Sequence, residues 1–187
     1  VPRQVWQVTP LLANLGYMPI GEHDVQIDLG ELDADQGKAV LIELLLPPRQ
    51  AGSYRIAQAQ VSYDLPLHNQ LGLESREDII VGFTGDAQLA RQYDPAVMNL
   101  VEKVTAYKLQ TRALDEARMG NVAGATQKLR AAATRLLELG ETGLAQAASE
   151  EADNLEKSGQ MTSAGTKKLR YQTRKLTQKL PDLPDDH

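Results

Sequence analysis

The chain has 187 residues, 42% of them hydrophobic, with 20 basic and 25 acidic side chains, a net charge of -5 and no cysteine. That length can bury a core in one domain or two modest ones, and the missing cysteines exclude disulfides and thiolate metal sites, so the fold rests on packing. No stretch approaches the roughly 18 uncharged apolar residues of a membrane span, Val1-Pro2-Arg3-Gln4 is neither a signal peptide nor a natural start, and the acidic balance gives no general reason to bind nucleic acid. These features predict a soluble, cytoplasmic piece of a longer polypeptide.

In chain order, strands are expected first at Arg3–Leu12. Val25, Ile27 and Leu29 then alternate with Gln26 and Asp28 up to Gly30, the period of a sheet with one buried face. Val40–Leu46 is a largely apolar strand stopped by Pro47-Pro48, and polar Asp33–Gly37 before it reads as a hairpin connection. In Ser53–Tyr63, Ala57, Ala59, Val61 and Tyr63 fall on one side but Tyr54 and Ile56 on the other, a change of phase that predicts a bulge or bend. A further strand is expected over Glu77–Thr84. About five strands with short turns predict an antiparallel β-sandwich over residues 1–85.

The period changes near Gly85. Asp94-Pro95 is a helix start, because aspartate caps free amides and proline at the first position loses no bond. Helices are predicted at Met98–Met119, Val122–Leu139, Thr142–Ser158 and Thr162–Leu180. The first three stop at Gly120, Gly140 and Gly159, where glycine takes the left-handed conformation that other residues resist. Leu100, Val104, Tyr107, Thr111 and Leu114 form one stripe, and Val122, Ala125, Leu129, Ala132, Leu136 and Leu139 another, both read as seams between helices. The even spacing approaches that of a tetratricopeptide array, but Trp6 lies in the strand half and the repeat signature is missing, so a closed bundle over 86–180 is favoured. Residues 181–187 read as a flexible tail. The predicted class is α+β, a sandwich followed by about four helices.

Catalytic chemistry finds little support. His23 beside Asp24 resembles a base with its orienting carboxylate, yet neighbours on a strand point to opposite faces. His68 sits in a loop and His187 in the tail. Asp33, Asp35 and Gly37 resemble the start of a calcium loop but lack its downstream ligands and glutamate. Gly82-Phe83-Thr84-Gly85 lacks the lysine of a phosphate loop. No catalytic residue, metal or cofactor is expected. The charges say more. Lys167, Lys168, Arg170, Arg174, Lys175 and Lys179 lie on the last helix, while Glu150, Glu151, Asp153 and Glu156 lie on the one before. Packed across the Gly159 turn they would flank one seam. The same basic face is a candidate interaction surface for a protein, or alternatively for nucleic acid or an anionic surface, although Tyr171 is its one aromatic residue.

Asn99–Leu114, running on through Gly120–Arg130, and the block Gly165-Thr166-Lys167-Lys168-Leu169-Arg170-Tyr171 resemble the C-terminal region of bacterial von Willebrand factor A (VWA) domain-containing proteins. The strand half resembles that region more loosely, through Val40–Pro48 and Tyr54–Tyr63. The resemblance implies a sandwich and helical tail downstream of a VWA domain. No Asp-x-Ser-x-Ser run of a metal-dependent adhesion site occurs here, so magnesium binding does not carry over. It also implies a non-catalytic scaffold or interaction role, the partner being another protein or the missing VWA domain of the same polypeptide.

Overall fold

The computed structural model describes residues 1–33 and 37–176. Its class is α+β as expected, with antiparallel sheets first and four helices after. The strands expected to form the sandwich are divided among three sheets. In the largest, β1 (Pro2–Thr9) is central, flanked by β2 (Ala13–Asn14) and β5 (Ala39–Leu44). β3 (Met18–Pro19) pairs with β4 (Val25–Gln26), and β6 (Gly52–Leu65) with β7 (Gln70–Phe83). β4 and β5 are not hairpin partners, so Asp33–Gly37 does not have the expected role; Ala34, Asp35 and Gln36 lie outside the described residues.

Four helices follow: α1 (Pro95–Arg118), α2 (Val122–Glu138), α3 (Thr142–Ser158) and α4 (Ser163–Lys175). The Asp94 carboxylate accepts from the amides of Ala96 at 2.7 Å and Val97 at 3.1 Å, closing the start of α1. Gly120, Gly140 and Gly159 have φ of 82°, 76° and 71°, the left-handed values that the stops require. At the first two, the amide beyond the glycine reaches back across the last turn, Asn121 to the carbonyl of Glu116 and Glu141 to that of Leu136. A single cluster centred on Leu129, Leu136, Leu155 and Leu169 joins the helices, lined by alanines such as Ala125, Ala148 and Ala152 that let axes approach. Buried Thr173 of α4 donates its hydroxyl proton to the amide oxygen of buried Gln110 of α1, which closes the bundle.

The chain divides into two units: residues 1–45 with those from Asp94 onward, and Leu46–Tyr93. This differs from the boundary at 85 expected from the change of period, and the reason is α1. Leu100 and Val104 pack with Val8 and Leu12, against Trp6, Ala39, Leu41 and Tyr107. The stripe read as a seam between helices therefore faces the sheet at its first half, while Ala106 and Ala113 face the bundle. Lys108 reinforces the contact, donating to Gln4 Oε1 at 2.7 Å with its ammonium 5.7 Å from the Trp6 ring centre. The Trp6 ring meets Tyr107 edge-on at 6.2 Å.

In the other unit, β6 and β7 form a ribbon of two 14-residue strands, turned by a short 3-10 helix at Pro66–His68 and by Asn69 at φ 53°. Register runs from Gly52 opposite Phe83 to Leu65 opposite Gln70, with a shift between Arg55 and Ala57. That shift is the bulge predicted from the change of phase. It returns Tyr54 to the face shared by Ala57 and Val61, since Tyr54 opposes Val81, Ala57 opposes Ile79 and Val61 opposes Ser75. The opposite face is polar apart from Ile80, which opposes Arg55: Arg55 pairs with Asp78 at 3.3 Å and Arg76 with Glu74 at 2.9 Å.

Candidate interaction surfaces

The basic face predicted on the last helix rests on how α4 is anchored. Thr162 caps the helix, its hydroxyl oxygen accepting from the Gly165 amide at 2.9 Å. The same hydroxyl donates to Glu151 of α3 at 2.8 Å, and the Thr162 amide donates to the other oxygen of that carboxylate. Glu151 is 2% exposed, a negative group held where the helix dipole is positive. A Cβ on Gly165 would collide with this carboxylate, so glycine is required there for room. Leu169, fully buried, fixes the opposite side of α4.

With that face buried, Lys167, Lys168 and Arg170 point to solvent. Arg174 and Lys175 belong to α4 by backbone, and Lys179 lies outside the described residues. Among the described side chains the expected charge seam between the last two helices is not formed; those of Arg174 and Lys175, and Lys179 altogether, lie outside them. Asp153 and Glu156 both meet Arg130 of α2, at 3.4 and 2.6 Å, Glu150 accepts from Gln146 at 2.8 Å, and Glu151 serves the α4 cap. The acids lie one helix pair earlier than the sequence suggested, because α3 presents Asp153 and Glu156 toward α2. None of the described ion pairs joins Lys167, Lys168 or Arg170 to α3.

A cleft of about 290 Å³ lies between α1 and α4, lined by Tyr107, Gln110, Leu114, Arg170 and Thr173 among others. No local pattern of residues signals it, since it arises only when α4 returns to α1. His23 and Asp24 are both exposed in the turn before β4, and His68 is exposed at the ribbon tip. Among the described residues no three histidine or carboxylate groups converge as a metal site would require.

The most perturbed titrating groups are also structural. Burial holds the Lys103 ammonium below the usual lysine range, opposed by the attraction of Glu141. The hydrogen bond from Gln58 holds the Asp78 carboxyl below the usual aspartate value, opposed by slight desolvation and helped by Arg55.

Reasoning from sequence missed the β6–β7 ribbon as a surface. Leu67 at its tip is 99% exposed, Leu71 71% and Ile80 64%. The alternation in β6 was a visible signal, but the partner half Gln70–Arg76 is too polar to announce a strand.

Residues 95–179 match the family described as Sll0103-like, C-terminal alpha-helical domain. Among curated proteins none matches this chain. A solved structure, von Willebrand factor type A from Catenulispora acidiphila, superposes with a TM-score of 0.65 at 17% identity, over 94% of this chain and 43% of that one. The chain thus spans less than half the length of that protein, and what the two share is a fold.

Proposed function

We propose that this chain is a non-catalytic protein-interaction region of a larger bacterial VWA-type polypeptide, acting beside its VWA domain in the cytoplasm. The observation that carries the reading is the superposition of nearly the whole chain on part of a longer VWA-type protein. The match over residues 95–179 to a domain described as C-terminal and alpha-helical supports only the part of the reading that makes the helical half a module of a longer protein. Among the described residues no helix is long and apolar enough to cross a membrane.

The test is binding in trans between the 187-residue chain and the separately produced VWA-type portion of the same polypeptide, followed by calorimetry. Saturable one-to-one binding is expected, and its absence at high micromolar concentration would sink the reading. The exposed Lys167, Lys168 and Arg170 favour one rival, docking on nucleic acid or an anionic surface. Binding to a random duplex that weakens steeply with salt would support that rival, and no binding at low salt would remove it.

A further inference from the structure

The described residues lining the cleft of about 290 Å³ all belong to α1 or α4, inside one compact unit. Its floor is apolar: Leu114 and Leu169 are buried, and the Tyr107 ring that shares the lining is held against Trp6. Gln110 also lines it, 4% exposed, with its Oε1 accepting from Thr173 and its Nε2 buried without a hydrogen-bond partner. A buried amide donor left unpaired costs the desolvation of that group, and native proteins rarely carry one without a bound water, ion or ligand. Closing the bundle does not demand it. The Thr173 hydroxyl also lies 2.6 Å from the Leu169 carbonyl, so an apolar residue at 110 would close the helices with nothing left unpaired. Arg170 stands one turn before Thr173 on α4, which brings its guanidinium to the same space as the Gln110 amide. It is exposed and has no ion pair or hydrogen bond among the described residues. Asp115, the one acid in the lining, is already paired with Arg118 at 3.4 Å.

We propose that this cleft binds a small monocarboxylate with an apolar body, its acid group meeting Arg170 and the Gln110 amide and its body lying on Leu114, Leu169 and Tyr107. The donors fix the sign of the ligand. An amide N–H and a guanidinium both require an acceptor, and a carboxylate offers them two oxygens. The floor fixes the other half, because a bare hydrated anion would leave that apolar surface wet. The volume limits the body to about one six-membered ring or a short branched chain. The site belongs to the helical half alone and does not depend on contact with a VWA domain.

The experiment titrates phenylacetate into the 187-residue chain, with acetate and phenylacetamide as probes that lack the body or the charge. Calorimetry reads the affinity, and nuclear magnetic resonance reads the side-chain amide of Gln110. Phenylacetate should bind one-to-one with a Kd below about 1 mM, and the other two at least about tenfold more weakly. The Gln110 side-chain protons should shift and exchange more slowly on binding. Arg170→Gln and Gln110→Leu should each weaken phenylacetate about tenfold or more. Asp115→Asn should tighten it, and Lys157→Gln on the exposed side of α3 should leave it unchanged. Because Arg170 is exposed, its variant tests the site even where Gln110→Leu alters the bundle, and helical circular dichroism checks the fold of both. No phenylacetate binding at about 10 mM would overturn the site and leave water alone in the cleft. Acetate binding as tightly as phenylacetate would reduce it to general anion attraction, and binding unchanged in Arg170→Gln would put the ligand elsewhere; either result overturns the proposal. So would Gln110 side-chain protons already protected in the free chain, since the amide would then have a partner of its own. None of these outcomes bears on binding to the VWA-type portion.

Discussion

In the helical bundle Leu129, Leu136, Leu155 and Leu169 are completely buried, whereas in the β6–β7 ribbon no side chain is. Both regions are amphipathic by sequence, so the difference lies in what each finds to cover its apolar side. Helices punctuated by short glycine turns meet their neighbours in the chain and fold back on one another. A hairpin satisfies its inner backbone bonds but leaves a face that its own two strands cannot cover.

The sharpest way to break this comparison is to truncate matched apolar side chains. Leu136→Ala removes a fully buried group from the bundle core and should cost about 2–5 kcal/mol in urea unfolding followed by helical circular dichroism. Val61→Ala on the ribbon should change stability by less than about 0.5 kcal/mol in the chain alone. A large loss at Val61 would mean that the ribbon is already covered.

Next in size is the α4 anchor. Glu151→Ala leaves the Thr162 amide and hydroxyl without their acceptor, and should cost about 1–3 kcal/mol. Glu151→Gln should recover part of it. Hydrogen exchange should speed first in α4; uniform acceleration through α1, α2 and α3 would show that α4 is not a separable element. Smaller again is Gly140→Ala, which forces a methyl group into φ 76° and should cost about 1 kcal/mol in the same unfolding assay.

How much of this was legible depends on whether a feature is local. The glycine stops, the Asp94 cap and the bulge near Ile56 are decided by a few adjacent residues, and the sequence shows them. Strand partners are decided over distance: β5 joins β1 rather than the nearer β4, and nothing within Val25–Leu46 encodes that choice. The face of α1 is equally nonlocal, since Leu100 and Val104 suit a sheet as well as a helix. Of the candidate surfaces, the exposure of Lys167, Lys168 and Arg170 followed from helical spacing. The role of Glu151 did not, because a cap contributed by another helix has no periodic signature.

The smallest expected effect sharpens the comparison on the polar side of the ribbon. Asp78 accepts from Gln58 at 2.9 Å and pairs with Arg55, and its carboxyl is held below the ordinary value. A carboxyl with a lowered folded-state pKa binds fewer protons folded than unfolded, so its contribution is present above about pH 4 and is lost as pH falls through the folded value. Because Asp78 lies on the surface, where solvent screens its charge, the effect belongs to the ribbon alone and is small. Acidification from pH 5 to about pH 3 should therefore speed exchange of the β6–β7 amides, corrected for intrinsic rates, more in wild type than in Asp78→Asn. Equal acceleration in both would show that the polar face contributes nothing, and that the ribbon is held by backbone pairing and its apolar face.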